Sequence, residues 1–148
     1  MDNFKKFLVP IDGSAASERA AQKAAEFAKA TGAHLHLLYA AELKNGPIPQ
    51  HFIEKKDLPE DVIKALTETG NEILQRIYNK LPKEIQEKTS CQVEVDIPKK
   101  IILSVSRQLP ADLIIMGTRG LNPAQAIIVG SVSQTMIEHA NCPVMMVR

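Results

Sequence analysis

Residues 111–134, ADLIIMGTRGLNPAQAIIVGSVSQ, decide the fold. Leu113-Ile114-Ile115-Met116 is a compact apolar run preceded by Asp112 and stopped by Gly117, the pattern of a fully buried strand. The glycines are then spaced Gly117, two residues, Gly120, nine residues, Gly130. Ser131 opens a segment with apolar residues at Val132, Met136, Ile137 and Ala140, which reads as a helix. A strand therefore feeds a glycine-punctuated loop that delivers a helix N-terminus.

That order has a chemical use. The first backbone N–H groups of a helix lack internal partners, and the helix dipole places partial positive charge beside them. Glycine lets the backbone approach a phosphate with no Cβ in the way, and the hydroxyls of Ser131 and Ser133 are further donors. A phosphate-bearing ligand suits such a place. The plain alternative is a set of turns with Ser131 as an ordinary N-cap, and the glycines alone do not choose between the two. The stretch is neither a Walker A loop, since no Gly-Lys-Ser/Thr occurs, nor G-x-G-x-x-G.

Working outward, Phe7-Leu8-Val9-Pro10-Ile11 reads as a strand followed by the turn Asp12-Gly13-Ser14. Proline cannot donate to a sheet ladder, which places Pro10 at the strand's last turn. The alanine-rich segment 15–31 reads as a helix with Ala16, Ala20, Ala24, Phe27 and Ala28 on its inner side, ended by Gly32. Residues 34–40 (HLHLLYA) read as a second strand, with His34 and His36 on one face as solvent-side or capping residues rather than metal ligands. The polar, proline-bearing segment 42–57 reads as a long loop. An amphipathic helix follows from Pro59 to Leu81, ended by Pro82, then an alternating strand over 91–97 and a helix opened by Pro98. Val144 to Val147 closes the chain as a last strand.

The alternation of strands and helices calls for an α/β fold, a mostly parallel sheet with helices on both faces, in a single domain spanning 1–148. Ligands of such sheets bind beyond the carboxyl ends of the strands. Asp12-Gly13-Ser14, Ala40-Ala41 and Gly117 to Gly120 all fall there. Asp12 in that crevice would accept hydrogen bonds from ribose hydroxyls, or serve only as a turn aspartate.

Composition narrows the field. Of the 148 residues, 45% are hydrophobic and 24% charged, as in a globular protein. Eighteen basic against seventeen acidic side chains leave a net charge of +1, without the basic excess of a duplex binder, and 4% aromatic content with no Trp disfavours base stacking. No nucleic-acid or membrane partner is expected. MDNFKKFLVPIDG enters a strand directly and is not read as a signal peptide, so a cytoplasmic location is expected. Cys91 and Cys142 are far apart and read as small, partly buried hydrophobes.

FLVPIDGS, ADLIIMG, the G-x-x-G-x9-G-S loop, GSVSQ and the closing CPVMMVR, five pieces in order across nearly the whole chain, together resemble the universal stress protein family. The resemblance implies a Rossmann-like, five-stranded parallel sheet in the order 3-2-1-4-5, commonly a homodimer joined through the last strand. It also implies that members with the spaced-glycine loop bind ATP or related adenine nucleotides. By position, Asp12 matches the ribose contact with Pro10 and Ile11 beside it, Ala40 the adenine contact, and Met116 and Gly117 the sugar and base contacts. Gly120 and Gly130 match the phosphate loop, and Ser131, Val132 and Ser133 the helix start that holds phosphate oxygens. Mg2+ would be held by the phosphates, with no protein metal site. Three features depart from the family: the 121–129 segment has no Lys or Arg, leaving Arg119 as the loop's cation; Asp96 stands where a glycine is frequent; and Pro123 stiffens the loop.

Three functions follow as expectations. The first is a stress-response switch that binds adenine nucleotide and signals through a protein partner; the second keeps the dimer and discards the nucleotide, making an interaction scaffold. An enzyme is not expected beyond slow ATP hydrolysis or autophosphorylation, because H-x-G-H and S-G-G-x-D are missing and no paired carboxylates or activated nucleophile stand near the loop. A phospho-acceptor receiver domain would show two acidic residues after the first strand, where only Asp12 stands.

Overall fold

The computed structural model describes residues 4–41, 58–118 and 130–148. In chain order the elements are β1 (Lys6–Ile11), α1 (Ala15–Thr31), β2 (His34–Ala41), α2 (Glu60–Lys80), α3 (Lys83–Gln86), β3 (Thr89–Val95), α4 (Pro98–Gln108), β4 (Leu113–Gly117), α5 (Ser131–His139) and β5 (Val144–Val147). The strands form one sheet in the order β3-β2-β1-β4-β5, every neighbouring pair parallel. The expected order and parallel pairing are borne out. The loop expected over 42–57 lies outside the described residues. The single turn α3 was not expected, and β3 begins and ends two residues earlier than the alternating run suggested.

Two apolar layers flank the sheet, one for each parity of its strands. Phe7, Val9, Ile11, Leu35, Leu37 and Ile115 pack against α1's alanines and against Leu74 and Ile77 of α2. Leu8, Leu38, Ile114 and Met116 pack against Ile101, Ile102 and Val105 of α4 and Met136 of α5. The small side chains of α1 let it lie close to the sheet; Phe27, expected on the inner side, is instead 38% exposed. Gly70 does the same for α2, since a methyl group there would lie 2.7 Å from the Tyr39 ring and 2.8 Å from Val93. Ser14 caps α1 by accepting from Ser17 N at 3.1 Å, and Gly32 ends it at φ 76°.

The two edges of the sheet differ. On β3, Ser90 and Cys91 are exposed, so Cys91 is not the partly buried hydrophobe expected. Gln92 and Glu94 continue a polar row that begins at His36: His36 Nδ1 lies 2.6 Å from Ser90 Oγ, His36 Nε2 lies 2.7 Å from Gln92 Oε1, and Gln92 Nε2 donates to Glu94 at 3.0 Å. Gln92 Oε1 only accepts, so His36 Nε2 donates in that contact. His36 is therefore part of a sheet-face network, and His34 is exposed. At the other edge β5 presents Val144-Met145-Met146-Val147, all half-buried.

Candidate functional site

The order 3-2-1-4-5 reverses its winding between β1 and β4, and the backbone there limits how far the two strands pair. Lys5 O accepts from His34 N on the β2 side, while Lys6 O accepts from Asp112 N on the β4 side. Even-numbered residues of β1 thus direct their backbone groups toward β4. Pro10 is an even-numbered residue with no N–H. Accordingly, β1 pairs with β2 through Ile11, but its pairing with β4 is confined to Phe7 and Leu8. Pro10 sits near the end of the strand, one residue before its last. The hydrogen-bonded ladder between β1 and β4 thus stops short of their carboxyl ends.

Around this gap stand the expected residues. Ala40, Met116 and Val132 all belong to the α4–α5 layer, so they share one face of the sheet. Ile11 does not join them: its side chain is 2% exposed in the opposite layer, against α1 and α2, leaving only its backbone for a ligand in the gap. Asp12 is half-buried and its Oδ1 accepts from Ser14 N at 2.8 Å, a turn in which Gly13 takes φ 86°. The turn role considered for Asp12 is therefore present and occupies one carboxylate oxygen. Ile73 of α2 abuts this turn, lying 3.4 Å from where a Cβ on Gly13 would be.

Opposite lies the start of α5. Its N-cap is Gly130, with no side-chain cap, so Ser131 is the first helical residue and not the N-cap. Ser131 is exposed. Ser133 is 4% exposed and its hydroxyl donates inward to Gly117 O at 3.0 Å, so the hydroxyl expected to serve a phosphate is already engaged. Gly130 N donates to Thr118 O at 3.2 Å, and Thr118 N to Val147 O at 2.9 Å. These bonds tie the end of β4 to the start of α5 and to the end of β5. Gly117 is pressed against α1, where an added methyl would lie 2.9 Å from both the carbonyl carbon and the Cβ of Ala16. Arg119 and Gly120 lie outside the described residues.

Sequence reasoning missed three of these features: the one-sided gap at Pro10, the inward turn of Ser133 and the close seat of Gly117 on Ala16. The Pro10 signal was present as a proline in an apolar strand, but its effect depends on which neighbour the even-numbered residues face. Among the described residues no group of three or more His, Cys, Asp or Glu side chains is placed to hold a metal ion. Burial, then the charge of Asp112, push the Cys142 thiol above its ordinary range, the reverse of an activated nucleophile.

A parallel sheet that reverses its winding beside a glycine-bounded helix start defines a Rossmann-like α/β protein with a switch-point crevice. The chain belongs to the universal stress protein family, whose sequence profile it matches over residues 3–148. It is 30% identical over 145 residues to a universal stress protein of Methanocaldococcus jannaschii, covering 98% of this chain and 82% of that one. The solved structure of universal stress protein UspA from Lactobacillus plantarum superposes with a TM-score of 0.81 at 23% identity, covering 98% of each chain. A universal stress protein solved in complex with cAMP gives 0.65 at 21% identity, covering 98% of this chain and 97% of that one. One from Archaeoglobus fulgidus in complex with dAMP gives 0.61 at 22% identity, covering 100% of both.

Proposed function

We propose that this chain is a regulatory module that binds ATP or a related adenine nucleotide in the gap between β1 and β4. The observation that carries the reading is the meeting of two features at one place: a β1–β4 ladder cut short where Pro10 has no donor, and an α5 start with no side-chain cap. The first makes room between the strand ends, and the second offers amides and a positive dipole to an anion. The nucleoside lies along Ala40, Met116 and Gly117 with the ribose at Asp12, whose Oδ2 accepts from its hydroxyls. The phosphates meet the amides of Ser131, Val132 and Ser133, with Gly120, Gly130 and Arg119 in the loop. Phosphate oxygens supply the ligands of any Mg2+. Family members complexed with cAMP and dAMP support the adenine class.

The module works as a cytoplasmic homodimer joined through β5 and acts by binding, with at most slow hydrolysis or autophosphorylation. Isothermal titration with ATP, AMP and cAMP tests the reading; no heat at millimolar ligand ends it. One observation favours a nucleotide-free scaffold of the same fold instead, the lack of any Lys or Arg across 121–129. Recovery of bound adenine nucleotide from freshly purified protein, by native mass spectrometry, removes that second reading.

A further inference from the structure

The hydroxyl of Ser133 has two possible uses at a phosphate-binding helix start: donating to the ligand, or fixing the helix. The structure assigns it to the second, and we propose that Ser133 is a positioning residue that sets the reach between β4 and the first turn of α5, leaving the phosphoryl group to backbone amides. This rests on the nucleotide reading above and deepens it.

Ser133 is almost wholly buried, and its Oγ donates to Gly117 O at 3.0 Å across sixteen residues of sequence. The helix it belongs to begins at Gly130, which has no side chain to cap it. Of the bonds joining β4's end to α5 among the described residues, the other is Gly130 N to Thr118 O, longer at 3.2 Å. The Ser133 bond is thus the one made by a side chain. Gly117 closes β4 and lies near the Ala16 backbone, where an added Cβ would come within 2.9 Å, so its carbonyl is held by the sheet. A hydroxyl bonded to a fixed carbonyl therefore sets the position of the whole first turn, and with it the direction of the amides at 131–133. A site whose donors are held before the ligand arrives avoids the cost of ordering them on binding.

The consequence divides the ligand in two. Removing the hydroxyl should weaken the hold on phosphate and spare the hold on nucleoside, since adenosine uses the β1, β2 and β4 ends and not the α5 amides. Isothermal titration of Ser133→Ala with ATP and with adenosine reads the ratio of the two affinities, a quantity that general loosening of the fold does not move. The expected result is an ATP affinity about tenfold lower, as for a lost buried hydrogen bond, with adenosine within about twofold of the unaltered chain. Ser133→Thr, which keeps a hydroxyl, should restore the ratio. An equal fall for both ligands, or an unchanged ATP affinity in Ser133→Ala, overturns the proposal. Should Ser133→Ala fail to melt cooperatively, Ser133→Cys, a weak donor of similar shape, carries the same comparison with the same outcomes. If the unaltered chain binds neither ligand, the nucleotide reading fails and takes this one with it. If it binds both and the ratio does not respond to substitution, the assignment of Ser133 alone fails.

Discussion

Replacing Gly117 by alanine tests the packing that frames the crevice. The new methyl would stand 2.9 Å from the Ala16 carbonyl carbon, 2.9 Å from the Ala16 Cβ and 3.1 Å from the Ala16 oxygen. Two of these three atoms are backbone and cannot rotate away, so α1 or the end of β4 must shift. Overpacking of this kind costs about 1–3 kcal/mol. Against it, alanine restricts the unfolded chain and returns about 0.4–1 kcal/mol, so a net loss of about 1–2 kcal/mol is expected. For a domain of this size the melting temperature should fall by roughly 3–8 °C. Circular dichroism melts and urea titration measure it. A double-mutant cycle with Ala16→Gly locates the cause: deleting the Ala16 methyl relieves only one of the three contacts, so most of the loss should persist after the helix penalty of the new glycine is subtracted. A Gly117→Ala protein as stable as the parent, or one fully rescued by Ala16→Gly, would refute the claim that backbone presses on backbone here.

Two further substitutions probe the scaffold. Ser14→Ala removes the N-cap of α1, whose Oγ accepts from Ser17 N, and should cost about 1 kcal/mol in urea denaturation; a loss below a few tenths would mean the cap is replaced locally. The hydrogen bond from Lys80 holds the Glu18 carboxyl below its ordinary value of 4.5. A depressed folded-state pKa gives stability that is present above 4.5 and is lost as pH falls through the lowered value. Lys80→Met should therefore cost about 0.2–1 kcal/mol at neutral pH, with the gap to the parent closing in an acid series. A gap that stays constant down to full protonation would show that the loss is packing and not charge.

The sequence carried the architecture because its signals were local. Leu113 to Met116 is apolar on both faces and occupies a strand with both faces covered, and α1's alanines name a helix seated close to a sheet. What escaped was whatever depends on a neighbour not yet placed. Ile11 sits one residue from Pro10 and two from Val9, but which layer it enters follows from the helices on each side. Ser131 and Ser133 are chemically alike; about half a turn of helix separates them, sending Ser131 outward and Ser133 into the β4 carbonyl. α3 is a single turn, too short for any periodicity to show. Of the candidate site, the crevice wall was legible from strand ends and glycines, while Arg119 and Gly120 fall outside the described residues.

The unlike rims of the sheet bear on how far such molecules can assemble. An apolar β5 invites a second copy to lie alongside it, whereas the wetted, hydroxyl- and carboxylate-bearing β3 offers a newcomer no dry surface to join. Two-fold pairing through β5, as in the homodimer proposed above, would use up that rim on both copies. In that proposed dimer strand addition would stop at two copies, and the unlike rims would keep the molecule from growing into a fibre.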